Sequence, residues 1–116
     1  MRHRKKGTKF GRTRGPRRAL LSNLAASVIL YERVQTTEAK AKAVRPIVER
    51  LVTKGKTKSL HMKRELEKIL PEKMAVKKVL EVLGPRYKER QGGYTRITKL
   101  RRRQGDAAPV VQIEFV

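Results

Sequence analysis

Cysteine and tryptophan are absent from this chain of 116 residues, and no acidic residue occurs before Glu32. Without cysteine there are no disulfides and no thiolate metal sites, which fits a reducing compartment. Aromatic residues make up only 4% of the chain, so any core must be thin and aliphatic. No apolar run approaches the ~20 residues that span a bilayer. The stretch 20–30 is broken by Ser22, Asn23 and Ser27 and is not expected to serve as a signal peptide. A soluble, intracellular protein without a membrane partner is expected.

Positive charge is what the chain has in abundance. Its 31 Lys and Arg stand against 10 Asp and Glu, a net charge of +21. The excess runs the whole length: 9 cations to no acids over 1–31, 14 to 7 over 32–83, and 8 to 3 over 84–116. A small domain so charged repels itself, and a polyanion relieves the repulsion. Each phosphate neutralised also releases condensed counterions, so binding should weaken steeply with salt.

The densest charge lies in the opening run, Met1 to Arg18, which has no apolar stripe. Such a segment cannot offset its ordering entropy with a core, and it is expected to order only against a polyanion. Gly7, Gly11 and Gly15 let its backbone turn against a crowded surface. Arginine can fork to phosphate or stack on an unpaired base, and lysine supplies a mobile point charge. The candidate RNA contacts here are Arg2, His3, Arg4, Lys5, Lys6, Lys9, Arg12, Arg14, Arg17 and Arg18. Phe10, away from any expected core, is placed to wedge against nucleotide or the first helix. A solvated basic tail without fixed contacts is the bland alternative.

Nothing suggests catalysis. The two histidines, His3 and His61, are far apart, the acids are scattered, and no phosphate-loop, nucleophile-elbow or metal-ligand spacing occurs. Glu65 and Glu67 read as helix-surface partners of nearby cations. No enzyme, cofactor, metal site or small-molecule substrate is expected.

Beyond the arm, taken as residues 1–15, residues 16–116 read as one domain. Gly15-Pro16 opens a helix whose apolar face is Leu21, Leu24, Ala25, Val28 and Tyr31. Val34 to Thr37 reads as a short strand, and Thr37 as the cap of a second helix with Val44, Ile47, Val48, Leu51 and Val52 on one stripe. Pro46 inside that stripe should kink the helix or restart it, and Gly55 should end it. A third helix over 59–70, capped by Ser59, and a fourth carrying Val76, Val79, Leu80 and Leu83 follow. Gly84-Pro85 reads as a stop. Then the period changes to two: Tyr94 to Leu100 and Val111 to Phe115 predict a hairpin about Gln104-Gly105-Asp106. The expected fold class is α+β, a small mixed β-sheet (short strand plus C-terminal hairpin) packed against about four helices, with an extended basic N-terminal arm.

A second candidate site is Gly92-Gly93-Tyr94-Thr95-Arg96, approached by Arg86, Lys88 and Arg90. Two glycines permit close backbone approach, Tyr94 can stack on a base or sugar, and Thr95 and Arg96 can reach phosphate. The same residues read equally well as a Gly-Gly turn leading to a core tyrosine. Arg101, Arg102 and Arg103 alternate in direction along a strand and should not all serve one site.

Several segments together resemble one family: Met1-Arg-His-Arg-Lys-Lys-Gly, Thr36-Thr37 before a Lys-rich helix, and Leu83-Gly-Pro-Arg-Tyr87. Arg90-Gln-Gly-Gly-Tyr-Thr-Arg-Ile97 and Gly105-Asp-Ala-Ala-Pro109 complete the set. They resemble the bacterial large-subunit ribosomal protein seventeen family over nearly the whole chain, with residues 54–74 departing from its pattern. The resemblance implies an α+β domain on large-subunit ribosomal RNA, the arm inserted among RNA helices. It also implies a cytoplasmic place in the ribosome, near the polypeptide exit and beside other large-subunit proteins, with no catalytic role.

Two other readings compete. A DNA-binding or nucleoid-compacting protein would need a helix free to enter a major groove, and the first helix is too apolar on its inner face for that. A membrane-surface protein would need its densest charge on an amphipathic helix, and here it lies outside one.

Overall fold

The computed structural model describes residues 14–116. Helix α1 (Arg14–Tyr31) buries Ala25, Ala26, Val28 and Ile29, with Leu21 and Leu24 packed at the edge. Tyr31, expected on that face, is instead 73% exposed. The helix ends there and the chain turns through Glu32, so Ile29 completes the apolar face in its place.

Glu32 makes that corner at φ 62°, a left-handed conformation that costs a non-glycine residue of order 1–3 kcal/mol. Its backbone N–H donates to the Val28 carbonyl at 2.8 Å, and its own carbonyl accepts from Phe115 at 3.1 Å. Its carboxylate takes Lys78 at 3.0 Å and also Arg86. Hydrogen bonding from Arg86, opposed by partial burial and reinforced by Lys78, lowers the Glu32 carboxyl to about 2.

Strand β1 (Arg33–Thr37) leads directly into α2 (Glu38–Gly55). Helix α2 buries Ala41, Val44, Val48, Leu51 and Val52 and is the element against which α1, α3 and the sheet all pack. It neither stops nor restarts at Pro46. That residue is exposed, so water can take the carbonyl that a backbone N–H there would have bonded. Helix α3 (Leu60–Ile69) is capped by Ser59, whose Oγ accepts from the Met62 N–H at 3.1 Å.

Helix α4 (Lys73–Lys78) runs into a π-helical turn, Val79–Leu83, and on into α5 (Gly84–Arg86). Gly84-Pro85 is therefore not a stop. The wider turn, with the Gly84 N–H bonded to the Val79 carbonyl, falls where the proline removes a donor and crowds the preceding turn. Gly84 is needed for proximity: a Cβ there would strike the Gly55 carbonyl, and one on Gly55 would strike Val79. Gly55 does end α2, but Lys56 beyond it stays right-handed, so its service too is close approach between backbones.

Strands β2 (Thr95–Arg102) and β3 (Pro109–Phe115) form the hairpin. The strand order is β1-β3-β2 and both pairings are antiparallel. The sheet is thus not mixed, because the hairpin seats β3 in the middle and each outer strand meets only β3. Val34, Ile113 and Ile97 stand in register toward the helices, while Arg33, Glu114 and Arg96 stand in register on the opposite face. A bulge between Lys99 and Arg101 shifts the register near the hairpin tip. The α+β architecture expected from the sequence is present.

Candidate nucleic-acid interface

Helix α1 displays Arg14, Arg17 and Arg18 in its first turns. Arg14 and Arg18 are exposed and Arg17 is half-buried. Arg18 looks into a groove of about 380 Å³ between α1, α2 and α3. Leu21, Ile47, Leu51 and Ile69 form the apolar part of its lining, and Arg18, Arg50, Lys54 and Lys68 supply the charge, with Ser22 between. A second groove of about 360 Å³ shares Arg50 and Lys54 and extends to Gly92, Gly93 and Tyr94. The two adjoin at Arg50 and Lys54, a trough in two parts that starts beside the N-terminal turns of α1 and ends at the Gly92-Gly93 loop.

Two carboxylates near this trough, Glu49 and Glu65, are already engaged. Glu49 accepts the Tyr94 N–H at 3.0 and 3.1 Å and the Thr95 hydroxyl at 3.3 Å, which ties the Gly92-Gly93 loop to α2. Glu65 pairs with Lys68 at 3.1 Å and more distantly with Lys54 at 3.9 Å. The Lys68 hydrogen bond holds the Glu65 carboxyl below its ordinary value. Arg18 and Arg50 have no carboxylate partner among the described residues, and neither does Arg14 or Arg17. Unpaired guanidiniums beside a concave surface are what a phosphate backbone recruits.

The loop at the far end of the trough needs its glycines. Gly92 and Gly93 both have positive φ, 80° and 64°, a succession that side-chain-bearing residues resist. Nothing lies within 4 Å of where a Cβ would stand on either, so the backbone is open to close approach.

Other residues singled out in the sequence go elsewhere. Tyr94 is 1% exposed. Its ring lies 5.1 Å from that of Tyr87, and its hydroxyl bonds Thr53 at 3.1 Å, so no face is free for a base. Thr95 is buried and spends its hydroxyl on Glu49. Arg96 stands on the outer sheet face, gripping Glu114 through two nitrogens at 3.2 and 2.9 Å. Arg86 is paired with Glu32, and Arg90 lies 5.4 Å over the Tyr87 ring. Arg102 and Arg103 bond the hairpin's own turn, at the Ala107 carbonyl and at Asp106. Arg2, His3, Arg4, Lys5, Lys6, Lys9, Phe10 and Arg12 lie outside the described residues.

Arg50, Lys54 and Lys68 were not among the residues singled out. The signal for the first two was present: on α2 they stand four apart, flanking Leu51 at the edge of the apolar stripe. Lys68 could be joined to them only by the packing of α3.

The described residues contain no group of acids and histidines that could hold a metal ion, and no helix among them is long and apolar enough to cross a membrane. Comparison with known proteins gives the family. The family model for ribosomal protein L17 matches residues 20–116. The chain belongs to the ribosomal protein L17 family. A large ribosomal subunit protein bL17 of Thermomicrobium roseum is 51% identical over 116 residues, covering 100% of this chain and 99% of the relative. That of Rickettsia bellii is 47% identical over 116 residues, covering 100% and 82%. One from an Exiguobacterium species is 51% identical over 114 residues, covering 94% and 97%. Membership of the L17 family makes this chain a ribosomal protein and not an enzyme.

Proposed function

We propose that the chain assembles into the large ribosomal subunit and stabilises folded ribosomal RNA by neutralising closely packed phosphates. The cations of the arm, residues 1–15, and of the trough on the domain, residues 16–116, together supply the cationic track for this. Arg14, Arg17 and Arg18 stand where the two meet. The observation that carries this reading is the trough, where Arg18 and Arg50 are unpaired while Glu49 and Glu65 are held by the protein itself. RNA helices that would repel one another can approach across such a track. The Gly92-Gly93 loop lets a sugar–phosphate backbone come close at its far end. Neighbouring large-subunit proteins near the polypeptide exit complete the surroundings, a placement supported by the family resemblance.

The test is binding of the purified full chain to large-subunit ribosomal RNA across a salt series. With ~6–10 phosphate contacts, affinity falls ~10³–10⁵-fold between 50 and 200 mM salt. Each of Arg14→Ala, Arg18→Ala and Arg50→Ala lowers the salt slope by about one unit. A salt slope unmoved by all three removes the trough from the interface, and a preference for duplex DNA over folded ribosomal RNA overturns the reading.

A further inference from the structure

A different groove, of about 830 Å³, opens between α3 and the α4–π segment. Leu60, Val76 and Leu80 supply its apolar lining, and Leu60 remains 62% exposed. Lys58, Lys63, Lys73 and Lys77 stand around it. None of the four is ion-paired among the described residues, although Glu67 and Glu81 line the same groove.

This lining differs from that of the trough in three ways that bear on what could fill it. It carries two carboxylates without an ion-pair partner, which repel a phosphate backbone. It has no arginine, and therefore no planar fork to stack on bases or grip phosphate with two bonds. Its exposed leucine remains hydrated unless apolar atoms cover it, and a sugar–phosphate backbone offers few. Four ammonium groups against two carboxylates leave an excess of positive charge around an apolar lining. The complement is a peptide that brings both apolar side chains and carboxylates.

We propose that this groove docks an amphipathic segment of a neighbouring protein in the same ribosomal particle, with apolar side chains over Leu60 and Leu80 and carboxylates against the lysines. The inference rests on the chain's place in the ribosome and is independent of what fills the trough.

The experiment places a benzophenone amino acid at position 60 of the full chain and, separately, at position 50. Each chain is assembled into large subunits, which are purified, irradiated and analysed by mass spectrometry. The position-60 probe is expected to join a ribosomal-protein peptide that contains carboxylates beside apolar residues. Adding Lys63→Glu and Lys73→Glu together should cut that crosslink at least fivefold while leaving the position-50 crosslink unchanged. Attachment of the position-60 probe to RNA, attachment to a peptide without carboxylates, or a yield indifferent to charge reversal each overturns the proposal. So does no crosslink from position 60 in subunits where position 50 reacts. Failure of position 50 to reach RNA counts against the trough alone.

Discussion

Arg50 and Arg96 are both exposed arginines on regular secondary structure, and the protein treats them oppositely. Arg50 lines the trough on α2 without a carboxylate partner among the described residues. Arg96 lies on the outer face of the sheet with two nitrogens on Glu114. Glu114 also takes Arg33 at 3.5 Å and the Gln112 amide at 3.2 Å. In a chain with a threefold excess of cations, the positions of the few acids decide which cations remain available. Glu114 occupies arginines of the sheet face, Glu32 occupies Arg86 and Lys78, and Asp106 occupies Arg103. Glu49 lines the trough beside Arg50 without pairing with it, its carboxylate turned to the Tyr94 N–H and the Thr95 hydroxyl.

The largest expected effect tests that contrast directly. Arg50→Glu with Lys54→Glu should weaken binding to large-subunit ribosomal RNA roughly 100-fold near 0.1 M salt, since each lost phosphate contact there is worth about a factor of ten. Arg33→Ala with Arg96→Ala should change affinity less than about threefold. Filter binding at matched salt checks both pairs, with circular dichroism to show that each remains folded. Equal losses from the two pairs would break the comparison.

Next in size is the loss of Glu49. Removing its carboxylate in Glu49→Ala leaves the Tyr94 N–H and the buried Thr95 hydroxyl without their acceptor, at a cost of about 2 kcal/mol. Urea unfolding should show this as a lower midpoint at unchanged slope. Glu49→Gln keeps an acceptor and should recover part of it. Should Glu49→Ala leave stability unchanged while RNA binding tightens, Glu49 acts as a brake on the trough and not as a tie for the loop.

Much of this molecule was legible in its sequence, for identifiable physical reasons. The stripe Val44, Val48, Leu51, Val52 and the alternation Val111, Ile113, Phe115 report burial at the helix and strand periods, and the structure puts these residues in or against the core. What was illegible depended on packing between distant segments. Gly84 looks like a helix stop until its contact with the Gly55 carbonyl is seen. Tyr94 could equally well stack on a base or on Tyr87, and only the position of Thr53 and Tyr87 in space decides. Arg86 carries the same charge as Arg50, and nothing local says that Glu32, 54 residues away, will claim it. The trough residue Lys68 comes from a third helix that no spacing rule connects to α1 and α2.

Acid exposes the same bookkeeping at the α1–β1 corner. The Glu32 carboxyl titrates at about 2 in the folded chain, below its ordinary value of 4.5, chiefly through Arg86. A lowered folded-state value gives stability that is fully present above pH 4.5 and drains away as pH falls toward 2. Because the side chain is 36% exposed, solvent screening holds this contribution to about 1 kcal/mol. Glu32→Gln should therefore lower stability by about that much at pH 7 and flatten its decline between pH 4.5 and pH 2. It should also release Arg86, and any gain in RNA affinity at neutral pH would show that this arginine had been withheld from the interface. A wild-type acid branch as flat as that of the variant would mean that the corner is held by its backbone bonds alone.

The smallest effect is the sharpest check on the sheet face. Arg96→Ala removes a side chain that is 58% exposed, while Glu114, itself 14% exposed, keeps Arg33 and Gln112. Exposed pairs contribute ~0–1 kcal/mol, so thermal unfolding should move by no more than a few degrees. Affinity for ribosomal RNA should stay within twofold, because a guanidinium already committed to a carboxylate must give up that partner before it can take a phosphate. If Arg96→Ala alone costs tenfold in affinity, RNA outcompetes Glu114. The sheet face would then be a second RNA surface, with Glu114 holding its arginines in place for phosphate.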